Sequence, residues 1–285
     1  MGNAVCLNLL KAGYQLTVAD VNKESYKNLV EIGAHSTESL SDLGQQNEII
    51  ITSLPKDEIL QKVILGEEGV LTTANPGTII IDIGTSSPYI TRLISEKTSL
   101  KNVEFLDAPV SGAVEGAKKA TLSIMVGGKR SVFEKVNSLL EKIGNKIYYI
   151  GESGAGQSMK LVNNLIHNIN RLALVEGLVL GIKAGLDLTV MLKVIEVSSG
   201  NSWELRVAPD ILNRDFEGKN VSLNGACKTL KLISNFADEL NMPLILTNLT
   251  KQIYDVARGR GLGQHQPIAV IKMYEEMLGV EVTTK

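Results

Sequence analysis

Cysteine is scarce: Cys6 and Cys227 are the only two in 285 residues, and they lie far apart. That excludes a disulfide scaffold and a thiolate metal cluster, and it suits a reducing compartment, so a cytoplasmic protein is expected. Charge excess is missing as well. Lys plus Arg number 29 against 31 for Asp plus Glu, a net charge of −2. With a pI near 6.0 there is no electrostatic case for nucleic acid or an anionic membrane as partner. No apolar run approaches the roughly 18 residues of a spanning helix. The opening MGNAVCLNLLKAG has no basic region ahead of its apolar residues, so it does not read as a signal peptide. The three histidines, His35, His167 and His265, show no ligand spacing, and no metal site is expected.

What is present divides the chain in two. Up to about Gly151, strand-like runs alternate with amphipathic segments. The runs are Gln15 to Asp20, Asn47 to Pro55, Gly77 to Thr85, Val103 to Val110, Leu122 to Gly128 and Lys146 to Gly151. Several, such as IIIT and IIID, are apolar without alternation, as strands covered by helices on both faces must be. Strands alternating with helices imply right-handed βαβ units and a parallel sheet. Beyond Gly154 only helical patterns are found: Gln157 to Ala184, Leu188 to Val197, Leu223 to Glu239, Leu244 to Arg258 and Pro267 to Met277. The expectation is an α/β chain: a doubly wound, Rossmann-type domain over 1–151 and an all-helical substrate or oligomerisation domain over 152–285.

One absence bears on the first domain. A doubly wound domain normally opens with a strand, then G-x-G-x-x-G, then a helix whose N-terminus holds a pyrophosphate. This chain starts inside what reads as that first helix, and its next strand ends in an acid, Asp20, where the adenosine ribose is usually held. On that reading the first strand and first glycines are missing, and Gly2 is the third glycine of the fingerprint. The other reading takes Met1 to Gly13 as an ordinary leading helix and Asp20 as a surface turn residue. The local pattern leaves both open.

Two later stretches carry more information. DAPVSGAVEGAKKATLSIMVGG (Asp107 to Gly128) and GAGQSMKLVNN (Gly154 to Asn164) resemble the signature stretches of the β-hydroxyacid dehydrogenases, which include the 3-hydroxyisobutyrate, tartronate semialdehyde and threonate enzymes. NLLKAG, VADVN, SLP, IDIGTSSP, SSGNSW and GLG extend the resemblance over essentially the whole chain. It implies hydride transfer between NAD and the alcohol carbon of a small hydroxy acid, with the site in the crevice between the two domains and a homodimer or homotetramer as the assembly.

The resemblance also implies roles. Lys160 matches the family's catalytic lysine, which moves the hydroxyl proton once its pKa is lowered. Asn164, one helical turn on, matches the asparagine that orients substrate and lysine. Ser111 and Gly112 match the residues that hold the substrate carboxylate. The family usually has glycine where this chain has Ala113 and Ala120, which leaves substrate identity open. Cofactor contacts are implied for Gly2, Asp20, Leu54, Pro55, Thr85 and Lys228; Gly84 replaces the usual serine and Thr229 the usual aspartate. Asp20, followed by Val21 rather than arginine, implies NAD over NADP. His167 reads as a packed histidine, and Trp203 as either a pocket residue or an anchor. SSGNSW leans toward polyhydroxy acids. Two alternatives stand beside this reading. An imine-reductase-like relative is disfavoured by Lys160, and a non-catalytic truncated remnant would follow from the missing first strand.

Overall fold

The computed structural model describes residues 1–218 and 221–284. It comprises two compact units, Met1–Lys160 and Leu161–Lys285.

The first unit contains eight strands among the described residues: β1 (Thr17–Val18), β2 (His35–Ser36), β3 (Ile49–Thr52), β4 (Ile79–Asp82), β5 (Glu104–Asp107), β6 (Val110–Ser111), β7 (Leu122–Gly127) and β8 (Gly144–Gly151). Strands β3, β4 and β5 are parallel, with Thr52 opposite Asp82 and Asp82 opposite Asp107. β7 pairs antiparallel with β5 and β6 and parallel with β8. The sheet is therefore mixed where an all-parallel one was expected. The connection from β6 through the short helix Ala113–Lys118 reverses the chain onto β7 rather than carrying it back across the sheet. β1 and β2 form a separate parallel pair, and β3 is an edge of the larger sheet.

The continuous apolar strands have a simple cause. Ile79 and Ile81 of β4 and Leu106 of β5 join one hydrophobic cluster, with Ala4, Val5 and Leu9 of helix Gly2–Lys11 and Val132 and Val136 of helix Arg130–Leu140. Ile80 and Phe105 face the other way, into a cluster with Leu60 and Ile64 of helix Asp57–Leu65 and Ile94 of helix Pro88–Ser99. Successive side chains alternate between faces, and both faces are covered, so the middle positions of these strands are apolar and polar residues occur only at their ends. Each buried aliphatic side chain contributes about 1.5–3 kcal/mol. Helix Pro88–Ser99 starts where Ser87 accepts the Tyr89 N–H and Pro88 occupies the first turn.

The second unit is helical. Helix Ala155–Lys183 starts in the first unit and runs on into it, followed by Leu188–Glu196, Leu223–Glu239, Ile245–Gly259 and Ile271–Leu278 as the longer helices. Leu161, Leu172, Val175, Leu178 and Val179 of the long helix enter a single core with Leu188, Leu230, Tyr254 and Ile271. Over 29 residues the long helix is long and apolar enough, by length and composition alone, to cross a membrane, although the same test is passed by a core helix, and its apolar residues enter the core just described. The sequence pattern places this helix over Gln157 to Ala184, where Lys160, Asn163, Asn164 and Arg171 interrupt any unbroken apolar run.

Candidate active site

In the first unit the site is built on two strands that end in aspartate. Asp82 closes β4 and Asp107 closes β5, side by side in register. Both carboxylates are fully buried. A buried charge is costly unless it is hydrogen-bonded, and each finds several donors. Asp82 accepts from Thr52 Oγ1 at 2.8 Å, Ser86 Oγ at 3.1 Å, the Gly84 N–H at 3.1 Å and Gln157 Nε2 at 3.4 Å. Asp107 accepts the N–H groups of Gly154 and Gln157, both at 2.9 Å. It thereby caps the start of helix Ala155–Lys183 from a different element, with its negative charge at the positive end of the helix dipole. Burial pushes the Asp107 carboxyl up to about 6 against the pull of those two N–H donors, and it raises the Asp82 carboxyl as well.

Gln157 completes the joint. It is fully buried; its Oε1 accepts the Ser86 N–H at 3.0 Å and its Nε2 donates to the Gly84 carbonyl at 3.0 Å. One side chain therefore grips the backbone on both sides of Thr85. The close approach also explains two glycines. A Cβ on Gly156 would fall 2.3 Å from the Met125 carbonyl oxygen, and one on Gly127 would fall 2.6 Å from Asp107 Oδ1.

Lys160 follows Gln157 by three residues. It is 8% exposed, and burial lowers its pKa to about 8. Its ammonium has no ion-pair or hydrogen-bond partner among the described residues, so desolvation acts unopposed. A lysine in this state gives up its proton much closer to neutral pH than an ordinary lysine does.

The remaining expected residues of this unit lie at the carboxyl ends of strands. Asp20 is exposed two residues beyond β1, with Oδ1 accepting the Asn22 N–H at 2.8 Å. Leu54 and Pro55 follow β3, and Gly84 and Thr85 follow β4; a Cβ on Gly84 would lie 3.1 Å from the Leu54 carbonyl oxygen, so the two loops touch. Gly2 opens its helix with no acidic residue in the first turn and packs beside Ser53. Loops at the carboxyl ends of parallel strands, with a helix N-terminus among them, are where a dinucleotide binds, and these residues fit one. Ser111 ends β6 and is half-buried, and Gly112 has φ 133°. Ala113 and Ala120 have φ of 57° and 53°, left-handed values that suit the glycine of the family pattern better than alanine.

In the second unit Asn164 is half-buried, and its Oδ1 accepts from Asn163 Nδ2 at 3.3 Å. Lys228 is half-buried on helix Leu223–Glu239. Sequence reading assigned nothing to Asp82, Asp107 or Gln157. The available signal was a pair of strands, IIID and EFLD, each ending in an acid that an apolar run does not explain, together with the Gln of GAGQSM.

Known proteins resemble the chain throughout. Residues 1–151 match the family model described as the NAD binding domain of 6-phosphogluconate dehydrogenase. Residues 154–274 match that described as NAD-binding of NADP-dependent 3-hydroxyisobutyrate dehydrogenase. The 2-(hydroxymethyl)glutarate dehydrogenase of Eubacterium barkeri is 38% identical over 99% of this chain and 94% of its own length. The mitochondrial 3-hydroxyisobutyrate dehydrogenase of Drosophila melanogaster is 35% identical over 92% of this chain and 83% of its own. Among solved structures, a Mycobacterium tuberculosis 3-hydroxyisobutyrate dehydrogenase with L-serine superimposes with TM-score 0.88 at 28% identity, over 96% of this chain and 95% of that one.

Proposed function

This chain belongs to the β-hydroxyacid dehydrogenase family, and from that premise we propose that Lys160 is the group that moves the proton when it oxidises a small hydroxy acid with NAD. The chain is an oxidoreductase of the pyridine-nucleotide class. One observation carries the finer reading. Lys160 is buried, its pKa is lowered to about 8, and it lies one turn along from the Gln157 that holds the backbone around Thr85.

The bound nicotinamide supplies the hydride acceptor in oxidation and the donor in reduction. The chain's own residues do the rest. The Lys160 amine takes the hydroxyl proton as the alcohol becomes a carbonyl, and the ammonium returns it in reduction. Asn164 orients the hydroxyl from the next helical turn. The Ser111 hydroxyl and the Gly112 N–H donate to the substrate carboxylate, and the lack of a side chain at Gly112 lets the anion reach the backbone. Gly2, Leu54, Pro55, Thr85 and Lys228 line the cofactor, and Asp20 accepts from the ribose hydroxyls while repelling a 2′-phosphate, which supports NAD over NADP. Two free thiols support a cytoplasmic protein, and the exposed Val162, Ile166 and Leu180 of the long helix support a homodimer or homotetramer.

The test is steady-state oxidation of small hydroxy acids with each nucleotide. The kcat/KM should favour NAD and should rise with pH through about 8, the pKa of Lys160. Lys160→Ala should lower kcat by roughly 100-fold or more with little change in nucleotide affinity. A variant with near-normal kcat removes Lys160 from the role, and equal or better use of NADP overturns the cofactor preference.

A further inference from the structure

Thr85 follows β4 without a hydrogen bond of its own: among the described residues its N–H, carbonyl and hydroxyl find no partner. The residues on either side are held instead. Gln157 Nε2 donates to the Gly84 carbonyl and Gln157 Oε1 accepts the Ser86 N–H, both at 3.0 Å. Asp82 takes a further bond from Nε2 at 3.4 Å, and it accepts from the Gly84 N–H and the Ser86 hydroxyl, each at 3.1 Å. A carbonyl and an N–H two residues apart are the groups that a neighbouring strand pairs with in a parallel ladder. Beyond the end of β4 one carboxamide takes that place, with its acceptor and both its donors in use. The backbone around Thr85 is thereby fixed while the polar groups of Thr85 itself are left for a ligand.

The other end of this clamp is fixed too. Gln157 lies in the first turn of helix Ala155–Lys183, and its own N–H, with that of Gly154, donates to the Asp107 carboxylate at 2.9 Å. The carboxylate has no room to shift, because a Cβ on Gly127 or Gly156 would fall 2.6 or 2.9 Å from its oxygens. Lys160 sits about 4.5 Å further along the helix axis than Gln157.

No cation pairs with Asp82 or Asp107 among the described residues, and the basicity of Lys160 is shifted by burial alone. The two carboxylates therefore act on Lys160 through the position of its helix and not through their charge. Buried carboxylates without a counter-ion are a costly way to join a helix to a sheet, which points to a demand for geometry rather than for stability.

We propose that Gln157 is a positioning residue for the reaction: seated on the helix start that Asp107 fixes, it holds the peptide groups on both sides of Thr85, so that the nicotinamide contact and the Lys160 amine keep one separation. This rests on Thr85 and Lys160 having the roles proposed above.

The experiment uses Gln157→Met and Gln157→Glu, assayed on a hydroxy acid that the protein oxidises, with hydrogen or deuterium at the alcohol carbon. Gln157→Met keeps length and bulk but can neither donate to Gly84 nor accept from Ser86. It should lower kcat at least about tenfold, the scale of a misplaced reacting group, with a larger isotope effect and a much smaller loss of nucleotide affinity. Gln157→Glu separates positioning from packing. The charged and titratable groups around that position are Asp82 of β4, Asp107 of β5, Asp57 of helix Asp57–Leu65, Arg92 of helix Pro88–Ser99 and Lys160 of its own helix. Burial and the three carboxylates favour the neutral form of the new carboxyl, and only that form carries both the acceptor and a donor that the clamp needs. Its kcat relative to the parent should therefore fall as the pH rises from about 6.5 to about 9, and the ratio for Gln157→Met should change far less. Asp187→Ala removes the cap of helix Leu188–Glu196, controls for lost stability and should leave kcat unchanged. A Gln157→Met variant with the parent's kcat, a loss of kcat without a larger isotope effect, or a Gln157→Glu ratio that ignores pH overturns the proposal. If Gln157→Met does not fold, the pH dependence of Gln157→Glu decides alone. If Lys160→Ala keeps near-normal kcat while both Gln157 variants behave as stated, the hold on the cofactor loop stands and the role of Lys160 fails.

Discussion

Replacing Lys160 by methionine should make the protein more stable while removing its proposed chemistry. The folded protein holds this amine, 8% exposed, with its pKa lowered from the ordinary 10.5 to about 8. At 1.36 kcal/mol per tenfold change in proton affinity, keeping the ammonium charged in the folded state at pH 7 costs about 3 kcal/mol. Between pH 8 and 10.5 the unfolded chain holds a proton that the folded protein has released, so stability rises with pH across that window. Methionine has similar length and no charge, and it removes the penalty. Its thermal midpoint at pH 7 should exceed that of the parent by about 5 °C or more, on the scale of 2–4 °C per kcal/mol for units of this size. The gain should shrink toward zero as the pH approaches 10.5. Differential scanning calorimetry of both proteins at pH 7, 8.5 and 10 tests this. A methionine variant no more stable at pH 7, or one whose advantage ignores pH, would refute the reasoning, because either result means that the ammonium is not held at a cost. Stability gained at the expense of function is the usual sign of an active-site group.

Two further outcomes follow from backbone geometry. Ala113→Gly and Ala120→Gly should each raise stability by about 0.5–1 kcal/mol. The left-handed φ values of 57° and 53° cost alanine about 1–2 kcal/mol, and the freedom of glycine in the unfolded chain offsets only part of that relief; a loss of stability in urea denaturation at either site would count against it. Gly156→Ala should destabilise by about 2–3 kcal/mol, because its methyl meets the Met125 and Asp107 carbonyl oxygens at 2.3 and 2.7 Å. Since those contacts set where the Lys160 helix begins, kcat should fall as well. Gly177→Ala on the same helix has open space around it and should stabilise by up to about 1 kcal/mol, so equal thermal midpoints for the two variants would contradict the packing described.

Periodicity and composition were enough to read most of the elements. The Leu223–Glu239 helix falls where its apolar spacing puts it, and IIIT and IIID are strands with both faces covered. β2 gave no signal, since His35 and Ser36 are both exposed and polar. The helix Arg130–Leu140 was also passed over, although its Val132, Val136 and Leu139 recur at helical spacing.

The candidate site divides along the same line. Local sequence determined the helix that carries Lys160 and Asn164, because the spacing of a helical face is a property of neighbouring residues. It determined too which strands end in acids. Only the tertiary structure decided what those acids do. Asp82 and Asp107 come together through the register of two strands, and Gln157 reaches Asp82 across 75 positions of chain and Ser86 across 71. The lowered basicity of Lys160 is of the same kind. It comes from water excluded by residues distant in sequence, and the identity of the lysine and its immediate neighbours carries no record of that exclusion.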